Sequence, residues 1–410
     1  MRKAVIFILI LVFGLCFAAC APETEGETPT KEEIYVERCE EVADAVLAQF
    51  YDRENNCVYE DTAKNHTAYA WTLMELLSLT NRLEAAGADA QYQAVREELL
   101  GILTRYKHTG MSNGEMSVYR SQDNRDDPGQ TAGIFFDDNT WIAIEFLNLY
   151  KSTSEAKWLE ECERVVAFVL TGLNEELGGI SWQFDRVGTA EDTINVCTNA
   201  PMSFLLTRLY NETEKEEYLT LARRLYNTMY NRLRDREDNL YYDSIAIVQT
   251  GGGYEYGNIS NIKWPYNSGM MITAGVELYR ATGTERYLNE AIATAESADK
   301  TFANTAKVPG EYSYLDFPWF TKLLLEGFIE LYRYDAENCG EYIAHFESSV
   351  NYGYENNRNA DGLIAPDWVG GWNAESETTK TLLDHASTAE VYGMLAQFFA
   401  QPQQANEIEE

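Results

Sequence analysis

The sequence predicts an all-α protein in which six helical hairpins close into a ring, a toroid with an inner and an outer layer of helices. Three observations carry this prediction. Apolar residues recur at helical spacing from about residue 32, one phrase of sequence repeats along the chain, and long polar loops follow alternate helices. One hairpin cannot bury both of its faces, whereas a circle of hairpins encloses a continuous core. An open solenoid and two separate bundles are the alternatives.

The N-terminal segment has the pattern of a lipoprotein signal peptide. A basic start precedes an apolar run, which ends in Ala18-Ala19 directly before Cys20. We expect removal of residues 1–19, a diacylglycerol on Cys20, and a flexible tether over residues 20–31. The mature chain would then be secreted and lipid-anchored at the cell surface, on a bacterial outer membrane. The alternative is a plain secretory signal with a chance cysteine.

The composition predicts one large folded domain over residues 32–402, followed by an acidic tail over 403–410. Apolar residues make up 45% of the chain, which is ample for a core. The formal net charge of -34 repels phosphate backbones, so nucleic acid is not an expected partner. The cysteines after residue 20 are odd in number and lack CxxC spacing, so we expect most to be core residues, with no metal site and no cofactor.

The repeated phrase is LY-x-x-T-x-x-x-x-YL, which occurs from Leu209 to Leu219 and from Leu278 to Leu288. Looser copies begin at Leu149 and Leu331. Each copy is expected to end one helix, turn, and start the next. The predicted hairpins pair 32–50 with 66–85, 89–106 with 138–152, 154–172 with 198–212, 214–233 with 266–282, 284–302 with 316–334, and 338–356 with 380–400.

The candidate reactive centre is the carboxylate pair Asp137-Asp138, directly before an amphipathic helix that carries Trp141. Two like charges among aromatic residues repel each other and are poorly solvated, which raises one pKa and leaves the other group ionised. Neighbouring residues at a helix entry hold their carboxyl groups about 5 Å apart, the separation associated with retaining glycoside hydrolysis. The alternative role is helix capping, which one aspartate would satisfy. The local sequence leaves both roles open.

Aromatic and amide side chains of the kind that bind sugars surround this pair. Rings stack on pyranose faces and amides pair with hydroxyl groups. Asn195 and Asn199 are four residues apart and would share a helix face, although capping is their simpler role. The candidate substrate-binding residues are Trp141, Trp182, Asn195, Asn199, Tyr266 and Asn267.

These segments together resemble glycoside hydrolase family 76, the bacterial endo-α-1,6-mannanases and their fungal relatives. The aspartate pair in FFDDNTWIAIEFLNLY resembles the family's Y-x-D-D-x-x-W segment, and GGISWQF resembles its Gly-Gly-aromatic loop. NVCTNAPMSFLLTRLY resembles its N-x-x-x-N helix entry, and WPYNSGMMITAGVELYRATG resembles its Y-N-Q-G entry. The similarity runs from about Ala68 to the end. Ile194, Ser181 and Ser268 depart from the family pattern, which leaves subsite detail open.

The resemblance implies an (α/α)6 barrel as the catalytic domain and hydrolysis of α-mannan with retention of configuration. It implies that Asp137 is the nucleophile and that Asp138 is the acid/base; the residues alone indicate only the pair. Two other functions stay open. One is another (α/α)6 carbohydrate enzyme, such as an unsaturated glycuronidase or a sugar epimerase. The other is a surface glycan-binding lipoprotein without turnover.

Overall fold

A computed structural model describes residues 28–304, 308–314 and 317–401. The predicted signal peptide, Cys20, most of the tether and the acidic tail lie outside the described residues. The described residues contain thirteen α-helices. They are α1 (Lys31–Phe50), α2 (Ala70–Ala85), α3 (Gln91–Leu103), α4 (Phe136–Thr153), α5 (Ala156–Val169), α6 (Val196–Thr213), α7 (Glu216–Arg232), α8 (Pro265–Thr282), α9 (Glu285–Phe302), α10 (Pro318–Tyr332), α11 (Ala336–Asn356), α12 (Ala374–Thr378) and α13 (Leu382–Ala400). Among these residues, no helix is long and apolar enough to cross a membrane.

The helices form two concentric layers. The inner layer consists of α2, α4, α6, α8, α10 and α13, in which each helix contacts the next and α13 contacts α2. The other long helices pack outside, and α1 contacts α13, so the first and last helices complete the ring. Inner helices such as α8 and α13 are buried along most of their length, whereas the outer helix α5 buries one face. The closed ring confirms the predicted toroid and excludes the solenoid and the two bundles. The predicted pairing of the helices is wrong, because, of the outer helices, α4 packs mainly on α5, α6 on α7 and α8 on α9. Each hairpin is thus an inner helix with the outer helix that follows it, since the short turn of the repeated phrase joins these two, whereas long connections join the predicted pairs.

The repeated phrase marks the ends of inner helices, as predicted. In the copy that begins at Leu209, α6 ends at Thr213, and Glu214 adopts a left-handed conformation with φ of 56°. The Glu214 N–H donates to the carbonyl of Tyr210 over 2.8 Å. The Thr213 hydroxyl donates to the carbonyl of Leu209 and accepts the N–H of Lys215, which starts the return turn. The same left-handed position after α4 and α8 is occupied by Ser154 and Gly283.

β-Strands occupy connections between the helices. They are β1 (Tyr51–Asp52), β2 (Cys57–Val58), β3 (Leu173–Asn174), β4 (Gly179–Ile180), β5 (Thr193–Asn195), β6 (Tyr242–Thr250), β7 (Gly253–Lys263), β8 (Ala303–Asn304) and β9 (Ser313–Tyr314). The prediction of a polar loop between α7 and α8 is wrong, because β6 and β7 form a long hairpin to which β5 adds a third strand. At the tip of this hairpin Gly253 has φ of 139°, a conformation that favours glycine.

Candidate active site

The aspartate pair lies in the first turn of α4, where the helix dipole favours negative charge. Phe135 occupies the N-cap position, and no side chain caps the helix there. Neither aspartate therefore caps α4, which was their alternative role. The first turns of several inner helices meet at this end of the ring: Trp319 at the start of α10 contacts Trp71 at the start of α2 and Tyr266 at the start of α8.

Asp137 is half-buried and accepts three hydrogen bonds. The indole Nε1–H of Trp182 donates to Oδ2 over 2.9 Å, and the thiol of Cys197 lies 3.4 Å from the same oxygen. The backbone N–H of Asp138 donates to Oδ1 over 3.1 Å. Burial raises the pKa of Asp137 above its ordinary value, and these three donors reduce that rise because each favours the charged form.

Asp138 has different surroundings, although it is the next residue in the chain. Burial and then the negative charge of Asp137 raise its pKa well above the ordinary value, and no donor offsets them. Within the described residues, no side chain donates a hydrogen bond to its carboxyl group at standard geometry. Asp137 is therefore the carboxyl group that ionises first, and Asp138 is the one that keeps its proton.

A third carboxyl group, Asp243 on β6, was not among the predicted residues and lies close enough to Cys197 to raise the pKa of its thiol, as Asp137 does. The hydroxyl of Tyr266 lies 3.4 Å from its Oδ1. Burial raises the pKa of Asp243, and Ser244, Asn267 and Tyr266 lower it. The amide of Asn267 is fully buried and forms no hydrogen bond of standard geometry. The structure thus brings the predicted residues Tyr266 and Asn267 together around Asp243.

The two predicted asparagines at the start of α6 have unequal positions. Asn199 is fully buried, and its side-chain amide accepts from the N–H of Ile180 and donates to the carbonyls of Ile180 and Asn195. These bonds hold β4 against α6, and they use the side-chain amide of Asn199 in contacts within the protein. Asn195 is also buried, and its Oδ1 accepts from the hydroxyl of Thr193. In α4 the equivalent tie is made by Asn139, which bonds both backbone groups of Tyr119.

Comparisons with known proteins show the family of this chain. Residues 106–345 match the model of glycosyl hydrolase family 76. This chain belongs to that family. Across 129 residues it is 30% identical to the mannan endo-1,6-alpha-mannosidase DCW1 of Candida albicans, and the aligned segment covers 31% of this chain and 27% of that protein. The resemblance to family 76 drawn from the sequence is thereby confirmed.

Solved structures of other family 76 proteins have the same fold. A family 76 glycoside hydrolase (mannosidase) of Bacteroides thetaiotaomicron VPI-5482 superposes with a TM-score of 0.76 at 22% identity, covering 88% of this chain and 98% of that one. An inactive variant of the alpha-1,6-mannanase of Salegentibacter sp. HEL1_6 superposes with a TM-score of 0.70 at 20% identity, covering 89% and 99%. These structures support the (α/α)6 barrel.

A layer of tryptophans lies below the aspartates of this family 76 protein. Trp141, one helical turn after Asp137, has its ring centroid 5.8 Å from that of Trp319. Below this layer an axial cavity of about 380 Å³ is lined by charged residues of the inner helices. Trp182 is 36% exposed, and its ring centroid lies 5.0 Å from that of Phe135. Of the two predicted tryptophans, Trp182 thus contacts the carboxylate of Asp137, and Trp141 lies one helical turn further along α4.

The described part of the chain has no group of three or more His, Cys, Asp or Glu side chains placed to hold a metal ion. The residues that sequence reasoning missed are Asp243, Cys197 and Asn139. Most cysteines were expected to be core residues, and Cys197 is the partly exposed one among those in the described residues. For Asp243 the sequence gave one weak indication of its position, because this acidic residue directly precedes the alternating apolar positions of β6.

Proposed function

We propose that this family 76 chain is a retaining, endo-acting glycoside hydrolase that cleaves α-1,6-mannosidic bonds in mannan. The observation that carries the proposal is the unequal environment of two adjacent carboxyl groups. Asp137 receives three donors and ionises first, whereas Asp138 has none and keeps its proton. Retaining hydrolysis needs one ionised and one protonated carboxyl group on the same scissile bond.

In the first step, Asp137 attacks the anomeric carbon as a carboxylate, while Asp138 transfers its proton to the glycosidic oxygen. The carbon–oxygen bond to the leaving sugar breaks, and a mannosyl ester forms on Asp137. The helix N-terminus stabilises the attacking carboxylate, and Trp182 orients it. The leaving group departs as a neutral alcohol, because the proton reaches it as the bond breaks.

In the second step, the ionised Asp138 accepts a proton from water, and the resulting nucleophile attacks the same anomeric carbon. The ester bond to Asp137 breaks, Asp138 is again protonated, and the product has the configuration of the substrate. The two displacements need no cofactor. The predicted substrate-binding residues are Trp141, Trp182, Asn195, Tyr266 and Asn267, together with Asn199, whose buried amide instead bonds the protein backbone. The exposed ring of Trp182 suits a sugar face beside the reacting bond.

The relatives support mannan as the substrate class. The Candida protein carries the name of a mannan endo-1,6-alpha-mannosidase, and the Salegentibacter mannanase is inactive when two consecutive aspartates are replaced by asparagine. That variant was solved in complex with alpha-1,6-mannotriose. We further propose that the enzyme is secreted and lipid-anchored through Cys20 at the cell surface, on the strength of the signal sequence. Polysaccharide degradation at the surface would deliver oligosaccharides for uptake.

The decisive experiment incubates the purified chain with linear α-1,6-mannan and identifies the products. We expect oligosaccharides, with the α-anomer formed first in the NMR spectrum of the reaction. Asp137→Asn should abolish release and Asp138→Asn should strongly reduce it, while circular dichroism stays unchanged. Products from unsaturated uronides but not from mannan would contradict the proposal in favour of a glycuronidase. Binding of mannan with no cleavage by any preparation would favour a non-catalytic glycan-binding protein.

A further inference from the structure

Cys197 occupies the second position of α6 and faces the aspartates from that neighbouring inner helix. It differs from the other cysteines in the described residues, Cys39, Cys57, Cys162 and Cys339, because they are buried and it is partly exposed. Its sulfur lies 3.4 Å from Oδ2 of Asp137. The thiol of Cys197 is thus in direct contact with the carboxylate of Asp137.

The direction of this hydrogen bond follows from the charge of its partner. An ionised carboxylate only accepts hydrogen bonds, so the thiol must donate its S–H. The titratable groups that face the thiol are Asp137 of α4, Asp243 of β6 and Tyr266 of α8. Burial and the two carboxylates raise the pKa of Cys197 well above its ordinary value, so the group stays a neutral donor.

The donors around Asp137 are distributed unequally over its two oxygens. An ionised carboxylate offers about four lone-pair positions, two on each oxygen. Trp182 and Cys197 fill both positions on Oδ2, and the N–H of Asp138 fills one on Oδ1. At standard geometry within the described residues, Oδ1 therefore accepts one hydrogen bond fewer than Oδ2, and it is the oxygen left for the substrate.

We infer that Cys197 is a positioning residue, which together with Trp182 anchors Oδ2 of Asp137 so that Oδ1 attacks the anomeric carbon. The inference rests on the proposed function, since it takes Asp137 as the nucleophile. Cys197 does not react with the substrate. It fixes the rotation of the carboxylate and favours its charged form, because a carboxylate with one anchored oxygen has fewer non-productive orientations.

The first test reads the thiol–carboxylate contact without substrate. The full chain is alkylated with iodoacetamide as a function of pH, with Cys197→Ser as the background. In Asp137→Asn the negative charge beside the sulfur is gone, so the pH midpoint should fall by about one unit and alkylation below it should be about tenfold faster. Asp361→Asn removes the same charge at an exposed position and should leave the midpoint in place. An unchanged midpoint in Asp137→Asn would overturn the inference.

The second test reads positioning through the pH profile of mannan hydrolysis. Cys197→Ala should lower kcat/KM about three- to tenfold and move the acidic limb to higher pH, because Asp137 loses a donor to its charged form. Cys197→Ser retains a donor and should restore the limb toward the wild-type position. Cys162→Ala removes a buried thiol of α5 and controls for packing.

The two proposals fail separately in these tests. If the wild type cleaves mannan and Cys197→Ala keeps its acidic limb, the positioning role is wrong and the proposed function stands. If the wild type cleaves no mannan, the proposed function fails. The alkylation midpoints then still decide whether the thiol contacts an ionised Asp137.

Discussion

Trp182 and Asp137 are joined by a hydrogen bond of 2.9 Å that links the connection between β4 and β5 to the first turn of α4. The backbone reinforces this link, because the N–H of Phe136 donates to the carbonyl of Trp182 over 2.9 Å. Trp182 is therefore held by hydrogen bonds at both its backbone carbonyl and its ring nitrogen. A loop residue with this support positions a carboxylate as precisely as a helical one.

The indole N–H should set the acidic limb of activity. Trp182→Phe keeps an aromatic ring but removes the donor, so the pKa of Asp137 should rise and the ionised nucleophile should be lost at a higher pH. We expect the acidic limb of kcat/KM to move upward by about one unit and activity below it to fall about tenfold. Trp372→Phe is the matched control, since that indole donates to the carbonyl of Asn357 elsewhere. An unmoved limb would show that the bond does not favour the ionised form.

Asp138 should control the alkaline limb. Its pKa is raised well above the ordinary value by burial and by Asp137, so it supplies a proton until the pH passes that raised value. Asp138→Asn should reduce mannan hydrolysis about 100- to 10,000-fold, with a much smaller effect on formation of the ester from an aryl mannoside whose leaving group needs no proton. The alkaline limb should be absent from this residual reaction. Equal losses on both substrates would argue against an acid role.

The sequence predicted those features of the fold that depend on neighbouring residues. Helical periodicity predicted the helices, and the repeated phrase predicted the turns, which depend on local bonds such as that from the Thr213 hydroxyl to the carbonyl of Leu209. The pair Asp137-Asp138 was predictable for the same reason, since adjacent acids at a helix start perturb each other wherever the helix lies.

Contacts between distant parts of the chain were not predictable in this way. Asp243 reaches Tyr266 because a bulged β-hairpin brings the end of α7 back to the start of α8. Cys197 reaches Asp137 only because α4 and α6 are neighbours in a closed ring, and a single cysteine gives no local indication of its partner. The long hairpin itself was missed because β6 and β7 are mostly polar or only partly buried, so their alternation is weak.

Asn199 should be needed for folding. It bonds both backbone groups of Ile180 from a fully buried position, so Asn199→Ala leaves buried N–H and C=O groups without partners. We expect the free energy of unfolding in urea to fall by about 2–4 kcal/mol. Asn258→Ala changes an exposed asparagine of β7 and should alter it by less than about 0.5 kcal/mol. If both variants unfold alike, the tie to β4 has no energetic role.

The buried ion cluster in the axial cavity should make stability depend on pH. Lys322 donates to both Glu75 and Glu390. Burial pushes the pKa of Glu390 upward, but Lys322 and Arg82 outweigh it and lower the pKa to about 2, whereas burial raises the pKa of Glu75 to about 8. Between pH 4.5, the ordinary value, and 8, the unfolded chain releases a proton that folded Glu75 keeps, so the free energy of unfolding falls as pH rises.

Glu75→Gln preserves the shape of the protonated side chain and has no proton to release. Its free energy of unfolding in urea should match the wild type near pH 4.5 and exceed it by about 1–3 kcal/mol at pH 8. Glu54→Gln, at an exposed position, provides the control for loss of one negative charge and should show no such pH-dependent gain. A Glu75→Gln variant that is less stable than the wild type at pH 8 would contradict this prediction. It would mean that Glu75 is ionised in the folded protein and that Lys322 needs both carboxylates as partners.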